Sequence, residues 1–238
     1  MRTLLLDIGN TATKAAFDDN IDDVFGFPRD KASAAIADLL NQKDVARCII
    51  SRVAYYADDI IYNINKNIDT EIINANSKLN FECRYSTPQT LGADRIAAIA
   101  AAIDICPDRP LLVVDAGTAI TYDFVTRDHI YIGGNIAPGL HLRFSTLNNY
   151  TSRLPLCSIS DFVAPIGNDT KSAIAAGIVN GLRSEIDYYQ ELASTTLGGD
   201  FAIILGGGDY NFFALNAKNT IFAYQNLVLR GLSVLGHL

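Results

Sequence analysis

The sequence predicts an α/β protein made of two similar lobes that face each other across a central cleft. Three observations support this fold class. Segments with the spacing of strands alternate with segments with the spacing of helices along the chain. One strand–turn–strand pattern occurs twice, at a constant offset of 108 residues. In addition, 49% of the 238 residues are hydrophobic and the mean hydropathy is +0.16, which is enough apolar material for a large core.

The elements of the first half begin with a hairpin. Thr3–Leu6 is an apolar strand that runs into a polar turn at Asp7, Gly9 and Asn10, and Thr13–Phe17 returns as the second strand. Helix and strand patterns then alternate. The predicted elements are a helix over 30–42, a strand over 46–53, a helix over 58–68, a strand near 72 and an alanine-rich helix over 90–105.

The second half begins with Leu111–Asp115, which repeats the first strand and its turn. The aligned pairs are Asp7 with Asp115, Gly9 with Gly117, Asn10 with Thr118 and Thr13 with Thr121. We therefore predict lobes over 1–108 and 109–238, divided near two prolines. The later predicted elements are a strand over 130–132 that leads into Gly133–Gly139, a helix over 140–150, a helix over 170–194 capped by Asn168 or Asp169, and a strand over 202–205 that ends in a glycine turn.

Composition excludes several classes of protein. The chain carries 26 acidic and 19 basic residues, a net charge of −7, and lacks the basic stripe that a nucleic-acid interface needs. No apolar run approaches the roughly 18 residues of a membrane span, and Asp7 interrupts the first apolar stretch too early for a signal peptide. The four cysteines are far apart, which is typical of reduced thiols. We expect a cytoplasmic protein without nucleic-acid or membrane partners.

The two repeated turns have the residue types of a phosphate-binding site. Glycine lets the backbone approach a ligand, and successive N–H groups in such a turn form an anion-binding concavity. Asp7 and Asp115 are able to hold a cation next to a phosphate, and Lys14 adds positive charge. One such turn alone favours an ordinary hairpin, but two aligned copies favour phosphate binding. Neither a Walker sequence nor a GxGxxG after a strand is present, so P-loop and Rossmann nucleotide sites are not expected.

Gly92–Arg95 opens the alanine-rich helix and combines a carboxylate with a guanidinium. Near a phosphoryl donor, Asp94 is a candidate base for a hydroxyl and Arg95 a candidate clamp for a substrate carboxylate. The alternative is a helix-start acid beside a surface arginine. Gly133–Gly139 is either a simple loop or a wall of the substrate site, and Thr170 either a helix-start residue or a hydroxyl donor to substrate. We assign the tyrosines at 55, 56, 188 and 189 to the core or to interfaces.

Several motifs in one order resemble the type III pantothenate kinases, members of the acetate and sugar kinase, Hsc70 and actin superfamily. These motifs are DIGNTATK (Asp7–Lys14), TLGADR (Thr90–Arg95), VVDAGTAITYD (Val113–Asp123), GGNIAPG (Gly133–Gly139), Leu154-Pro155, GNDTKSAIAAG (Gly167–Gly177) and NLVLRGL (Asn226–Leu232). The resemblance implies two ribonuclease-H-like, actin-like lobes, each a mixed sheet flanked by helices. It also implies ATP-dependent phosphorylation of pantothenate to 4′-phosphopantothenate, the first step of coenzyme A synthesis.

By motif position, the resemblance also implies roles for individual residues. ATP would contact Asp7, Ile8, Gly9, Asn10, Thr11, Ala12, Thr13, Lys14 and Thr118. Pantothenate would contact Tyr85, Gly92, Ala93, Asp94, Arg95 and Thr170. Among these, Asp94 is expected to be the general base and Arg95 the partner of the substrate carboxylate.

The same resemblance implies the cofactors and the oligomeric state. Asp115 is expected to help hold a monovalent cation, K⁺ or NH₄⁺, while Mg²⁺ accompanies ATP. Members of the family are typically homodimers. Two alternatives stay open at this point: a non-catalytic regulatory homologue, and a kinase of the same fold that acts on another small hydroxy acid or sugar.

Overall fold

The protein is described here from a computed structural model, which covers residues 2–42, 44–54, 56–64, 68–210, 212 and 221–238. The chain forms two compact units. Residues 1–111, 125–133 and 226–238 make up the first unit, and residues 112–124 and 134–225 make up the second. None of the described helices combines the length and the apolar character that crossing a membrane requires.

The described elements include eleven strands and six α-helices. The strands are β1 (Arg2–Ile8), β2 (Ala12–Phe17), β3 (Asn20–Pro28), β4 (Val45–Arg52), β5 (Asp69–Ile72), β6 (Glu82–Cys83), β7 (Leu111–Ala116), β8 (Ala119–Val125), β9 (Ile130–Pro138), β10 (Ala202–Gly206) and β11 (Ile221–Ala223). The helices are α1 (Ala32–Gln42), α2 (Ala57–Ile64), α3 (Ala93–Ile105), α4 (Leu140–Asn149), α5 (Thr170–Leu197) and α6 (Leu227–Gly236). Short 3₁₀ turns lie at Pro88–Thr90 and Ile159–Asp161.

The two sheets share one order of connection, which confirms the repeat predicted from the sequence. The first sheet has the order β3-β2-β1-β4-β5. Its β2 is antiparallel to β1 and β3, and its β4 is parallel to β1 and β5, so the sheet is mixed. The second has the order β11-β10-β7-β8-β9-β6. Its strands β7 to β11 follow the same order as β1 to β5, and β6 is added beside β9.

Strand alternation and helix faces explain the core of the first unit. Leu4, Leu6 and Ile8 of β1 lie on one face of the sheet and pack with apolar residues of α1 and α2. Helices α3 and α6 pack closely on each other. Helix α6 also contacts β1 and β4, and α3 contacts β4. Ala-rich α3 is buried along most of its length, which suits a helix that must approach another backbone.

The core of the second unit lies between its sheet and the long helix α5. Leu112 and Val114 of β7 point to the same side as Ile203 of β10, and they pack with Leu182 and Ile186 of α5. Of the two predicted cap candidates, Asp169 is the cap of α5, because its carboxylate accepts hydrogen bonds from the N–H groups at residues 171 and 172.

The structure differs from the predicted elements in several places, and β6, β11 and α6 have no predicted counterpart. Gly133–Pro138 continues β9 and is not a loop. Strand β3 was not predicted, because it is an edge strand with mixed exposure and no clear alternation. The two compact units are not continuous in sequence, because α6, at the carboxyl end of the chain, belongs to the first unit. The lobe boundary between residues 108 and 109 stays a prediction, and part of the helix predicted over 58–68 lies outside the described residues.

Gly231 makes the contact between α6 and α3 possible, and its replacement tests this packing. A Cβ at Gly231 would overlap the backbone carbonyl of Ala97, which cannot move away as a side chain could. We expect Gly231→Ala to lower the free energy of unfolding by about 1–3 kcal/mol in urea titrations. Gly26→Ala is the matched control, because no atom lies within 4 Å of the added methyl. Equal stabilities of the two variants would contradict this account.

Candidate active site

The first repeated turn joins β1 to β2 and presents exposed polar groups at its tip. Asp7 is opposite Lys14 in the register of the two strands, and Ile8 is opposite Thr13. The Gly9 N–H donates to the Ala12 carbonyl over 3.1 Å, which closes the turn. Residues 10–12 are exposed, whereas Asp7 and Lys14 are half-buried. The tip therefore offers amides and hydroxyls to a ligand, with one charge of each sign beside them.

Two of the residues predicted to contact ATP point away from solvent. The side chains of Ile8 and Thr13 are both fully buried. The Thr13 hydroxyl lies 3.2 Å from the hydroxyl of Tyr56, which donates a 2.7 Å hydrogen bond to the Gly9 carbonyl. The hydroxyl of Tyr56 thus contacts the turn. The sequence predicted only that Tyr56 lies in the core or at an interface, and it did not predict this contact.

The second repeated turn, between β7 and β8, lies against two further glycines. The Gly117 N–H donates to the Ala119 carbonyl over 3.0 Å, and the Gly139 N–H donates to the Thr118 carbonyl over 2.9 Å. A Cβ at Gly139 would overlap the carbonyls of residues 117 and 118. Gly207 has φ +88° and lies directly against the Ala116 carbonyl, where a Cβ would also overlap. Asp115 and Thr118 therefore occupy a position where three backbone segments meet.

A polar network in the second unit supports Gly133–Gly139. Arg143 Nε donates to the Pro138 carbonyl over 2.8 Å, and Arg143 Nη2 lies 2.7 Å from Glu185 Oε2. The Tyr122 hydroxyl donates to Glu185 Oε1 over 2.9 Å, and the Tyr122 ring stacks on Tyr189 at 3.7 Å between centroids. Burial and the nearby carboxylate raise the pKa of Tyr122, so this phenol stays protonated as a donor.

Asp94 occupies the first turn of α3, whose N-cap is Gly92. Its Oδ1 accepts a hydrogen bond from the Arg95 N–H over 2.8 Å. Burial raises the pKa of the Asp94 carboxyl above its ordinary value, although hydrogen bonding and the charge of Arg95 oppose the shift. A carboxylate with a raised pKa is a stronger base, which suits proton transfer.

Arg95 is a buried residue, so the alternative of a surface arginine is wrong. Its side chain is 5% exposed, and its Nη2 donates to the Tyr131 hydroxyl over 2.8 Å. The guanidinium also lies 5.7 Å from the centroid of the Tyr85 ring, and Tyr85 stacks on Tyr131 at 5.9 Å. Tyr131 is not among the predicted site residues, because its only local signal is its place as an aromatic residue two positions before the double glycine.

The predicted site residues are divided between the two units. Asp7–Lys14, Tyr85 and Gly92–Arg95 belong to the first, and Asp115, Thr118 and Thr170 to the second. Thr170 is exposed and is the first residue of α5, directly after the Asp169 cap. In the part of the chain that the structure describes, no three His, Cys, Asp or Glu side chains form a metal-binding group.

Comparison with known proteins identifies the family. A sequence model of the family described as type III pantothenate kinase matches residues 3–191. The chain belongs to the type III pantothenate kinase family. A relative from Flavobacterium johnsoniae, named type III pantothenate kinase, is 37% identical over 233 residues, which cover 97% of this chain and 95% of the relative. The family expected from the sequence motifs is confirmed.

Solved structures confirm the fold expected for this type III pantothenate kinase family member. A Campylobacter jejuni protein described as a Baf-family transcriptional activator superposes with a TM-score of 0.65 at 24% identity, over 98% of this chain and 96% of that one. A polyphosphate/ATP-glucomannokinase from Arthrobacter superposes with a TM-score of 0.52 at 14% identity, over 98% and 97% of the two chains. The predicted actin-like class, with two mixed sheets flanked by helices, is therefore confirmed.

Gly92→Ala tests whether the position of the Asp94 carboxylate matters for this family's phosphotransfer. The added methyl would overlap Asp94 Oδ1, and the carboxylate is free to move because it ends a side chain. We expect kcat to fall at least about tenfold, since small displacements of a reacting group are costly, while the melting temperature stays close to that of the wild type. Gly26→Ala again serves as the control. An unchanged kcat in Gly92→Ala would contradict the expectation.

Proposed function

We propose that this protein transfers the γ-phosphoryl group of ATP to the terminal hydroxyl of pantothenate and releases ADP and 4′-phosphopantothenate. Family membership supports a kinase of this class. The observation that carries the assignment is the pair formed by Asp94 and Arg95 at the start of α3. One residue supplies a partly buried carboxylate of raised pKa, and the next supplies a buried guanidinium.

Asp94 acts as the general base in this proposal. As the hydroxyl oxygen bonds to the γ-phosphorus, its proton passes to the Asp94 carboxylate, and the bond between the γ-phosphorus and the bridging oxygen breaks. The N-terminal dipole of α3 favours the ionised carboxylate before transfer. Burial disfavours the ionised form of the Asp94 carboxyl, so the carboxylate accepts a proton more readily. Burial is the larger of these two effects, so the carboxylate is a stronger base than an ordinary aspartate.

Arg95 and Tyr85 hold the carboxylate end of pantothenate in this proposal. A guanidinium binds a carboxylate through two parallel hydrogen bonds, and the bond from Arg95 to Tyr131 limits its rotation. The backbone of Gly92 and Ala93 and the hydroxyl of Thr170 are the further pantothenate contacts. Their residue types suit the hydroxyl and amide groups of that substrate.

The two repeated turns suit the phosphates of ATP. The exposed tip at residues 10–12 and the exposed Thr118 provide neutral donors next to Lys14 and Asp7. ATP would contact Asp7–Lys14 and Thr118. Because the side chains of Ile8 and Thr13 are buried, these two residues would contact ATP through their backbone groups. Asp7 would help hold the Mg²⁺ that accompanies ATP, and this ion would neutralise part of the phosphate charge.

A monovalent cation, K⁺ or NH₄⁺, is proposed beside Asp115. The donors there are one half-buried carboxylate and the carbonyls of a glycine turn. The residues that the structure describes have no cluster of three ligating side chains, so this position does not suit a divalent cation held by protein groups alone. A weakly held monovalent cation fits this set of oxygens better.

A homodimer is proposed from the surface of the second unit. Leu156, Ile159, Val163 and Ile166 are 44–86% exposed, although they are large apolar residues. The segment they belong to contacts α5, where the Asn180 side chain donates to the Pro165 carbonyl over 2.8 Å. The small residues at positions 173, 177 and 181 of α5 are also exposed. An apolar surface beside a stripe of small residues suits close contact with a second copy.

The cytoplasm is proposed as the location of the enzyme. All four cysteines are free thiols, which is typical of a reducing compartment. The acidic charge balance and the ATP requirement agree with this location.

An ADP-release assay with ATP and Mg²⁺, with and without pantothenate, tests the proposed function. Matched buffers contain K⁺ or only Na⁺ as the monovalent cation. We expect ADP release that depends on pantothenate and is much faster in K⁺. ADP release without dependence on pantothenate would show another acceptor, such as a different hydroxy acid or a sugar. Bound nucleotide without turnover would show a non-catalytic homologue, and equal rates in both buffers would contradict the monovalent site.

Asp94→Asn tests the base. Asparagine cannot accept the proton, so we expect kcat to fall at least about 100-fold. Because the pKa of Asp94 is raised in the folded state, this carboxyl lowers the free energy of unfolding at pH values above the ordinary aspartate pKa, so the variant should be no less stable than the wild type at neutral pH. In the wild type, kcat/KM should fall as the pH drops through a pKa above the ordinary aspartate range, and this limb should vanish in the variant. A near-normal kcat would remove Asp94 from the base role.

Val163→Asp tests the dimer surface. Val163 is 75% exposed in the single chain, so a carboxylate there costs the folded chain little but opposes burial against a second copy. Light scattering should give a dimer for the wild type and a monomer for the variant. Tyr62→Asp is the control, because it places the same charge on another exposed residue, in the first unit. A wild-type monomer, or a variant that remains dimeric, would contradict the proposed surface.

A further inference from the structure

Tyr56 makes two hydrogen bonds to the turn between β1 and β2. Its hydroxyl proton is donated to the Gly9 carbonyl over 2.7 Å. A phenol has one proton, so the Thr13 hydroxyl, 3.2 Å away, must be the donor in the second bond. One oxygen atom therefore connects the residue before the exposed tip with the residue after it.

The buried position of Thr13 shows which side of the turn this contact occupies. Thr13 is fully buried and Tyr56 is half-buried, whereas residues 10–12 are exposed. Tyr56 thus lies on the side of the turn opposite the exposed tip. The Arg29 guanidinium is 5.1 Å from the centroid of the Tyr56 ring and gives the ring a second contact. Tyr56 is placed to fix the turn without occupying the space of a ligand.

We propose that Tyr56 is a positioning residue for nucleotide binding, which holds the ends of the turn so that the tip amides face the phosphates of ATP. This inference rests on the proposed function, in which the ATP phosphates bind Asp7–Lys14. The amides of a short turn bind an anion well only when they point in one direction before binding. The Tyr56 hydroxyl bonds both the Gly9 carbonyl and the Thr13 hydroxyl, so it fixes the two ends of the turn and with them the direction of the tip amides.

Tyr56→Phe removes the shared hydroxyl and leaves the ring in place. We expect the Kd for Mg·ADP and the KM for ATP to rise about threefold to tenfold, which is the effect of losing one or two neutral hydrogen bonds. The KM for pantothenate should stay unchanged, because the change concerns the ATP turn alone. Tyr150→Phe, at a residue that is 85% exposed, is the matched control and should bind Mg·ADP as the wild type does.

Thr13 variants provide a second test that does not depend on the folding of Tyr56→Phe. Thr13→Val keeps the shape and removes the hydroxyl, so it should weaken Mg·ADP binding, while Thr13→Ser should restore most of it. Thr13→Val and Tyr56→Phe both remove the hydrogen bond between these two hydroxyls. The loss of Mg·ADP affinity in the double variant should therefore be smaller than the sum of the losses in the two single variants.

If Tyr56→Phe bound Mg·ADP with the same Kd as the wild type, the inference would be overturned. An equal rise of the KM values for ATP and for pantothenate would also overturn it, since a general structural effect would produce that result. Direct Mg·ADP titration keeps this test separate from the proposed function. If the wild type bound Mg·ADP but did not phosphorylate pantothenate, the proposed function would fail, while the Tyr56 comparison would still give its answer.

Discussion

The close approach of three backbone segments at the carboxyl end of β7 is the constraint on which the candidate site residues of the second unit depend. Gly139 and Gly207 each lie where a Cβ would overlap a backbone carbonyl of residues 116–118. Only glycine permits both contacts, and the positive φ of Gly207 adds a second reason for that residue. Since no side chain fills this position, backbone groups remain next to Asp115 and Thr118. The polar network through Arg143 and Glu185 then holds the adjoining strand end.

Much of the fold could be predicted because the decisive signals are local. The apolar runs that end at Asp7 and Asp115 predicted two strands and their turns, and the structure gives both sheets the same strand order. Residue types at the helix start predicted Asn168 or Asp169 as the cap of α5, and in the structure Asp169 is the cap. Strand β3 lacked such a signal because an exposed edge strand has no alternation, and β9 was predicted too short because its glycines resemble a turn.

The site could be predicted only in part, because some contacts join residues that are distant in sequence. Asp94 and Arg95 are adjacent at a helix start, so their pairing is visible in the sequence. The partner of Arg95 is Tyr131, 36 residues later, and the contact of Tyr56 with Thr13 spans 43 residues. No local pattern predicts which aromatic hydroxyl reaches which turn. The burial that raises the pKa of Asp94 is likewise a property of the packed structure.

A crystal structure of the complex with Mg²⁺, a non-hydrolysable ATP analogue and pantothenate is the most direct test of the central claim. We expect phosphate oxygens within hydrogen-bond distance of the amides at residues 10–12 and of Thr118. The terminal hydroxyl of pantothenate should lie within hydrogen-bond distance of the Asp94 carboxylate, and its own carboxylate should contact Arg95. Phosphates bound away from both repeated turns, or a pantothenate hydroxyl out of reach of Asp94, would contradict the account.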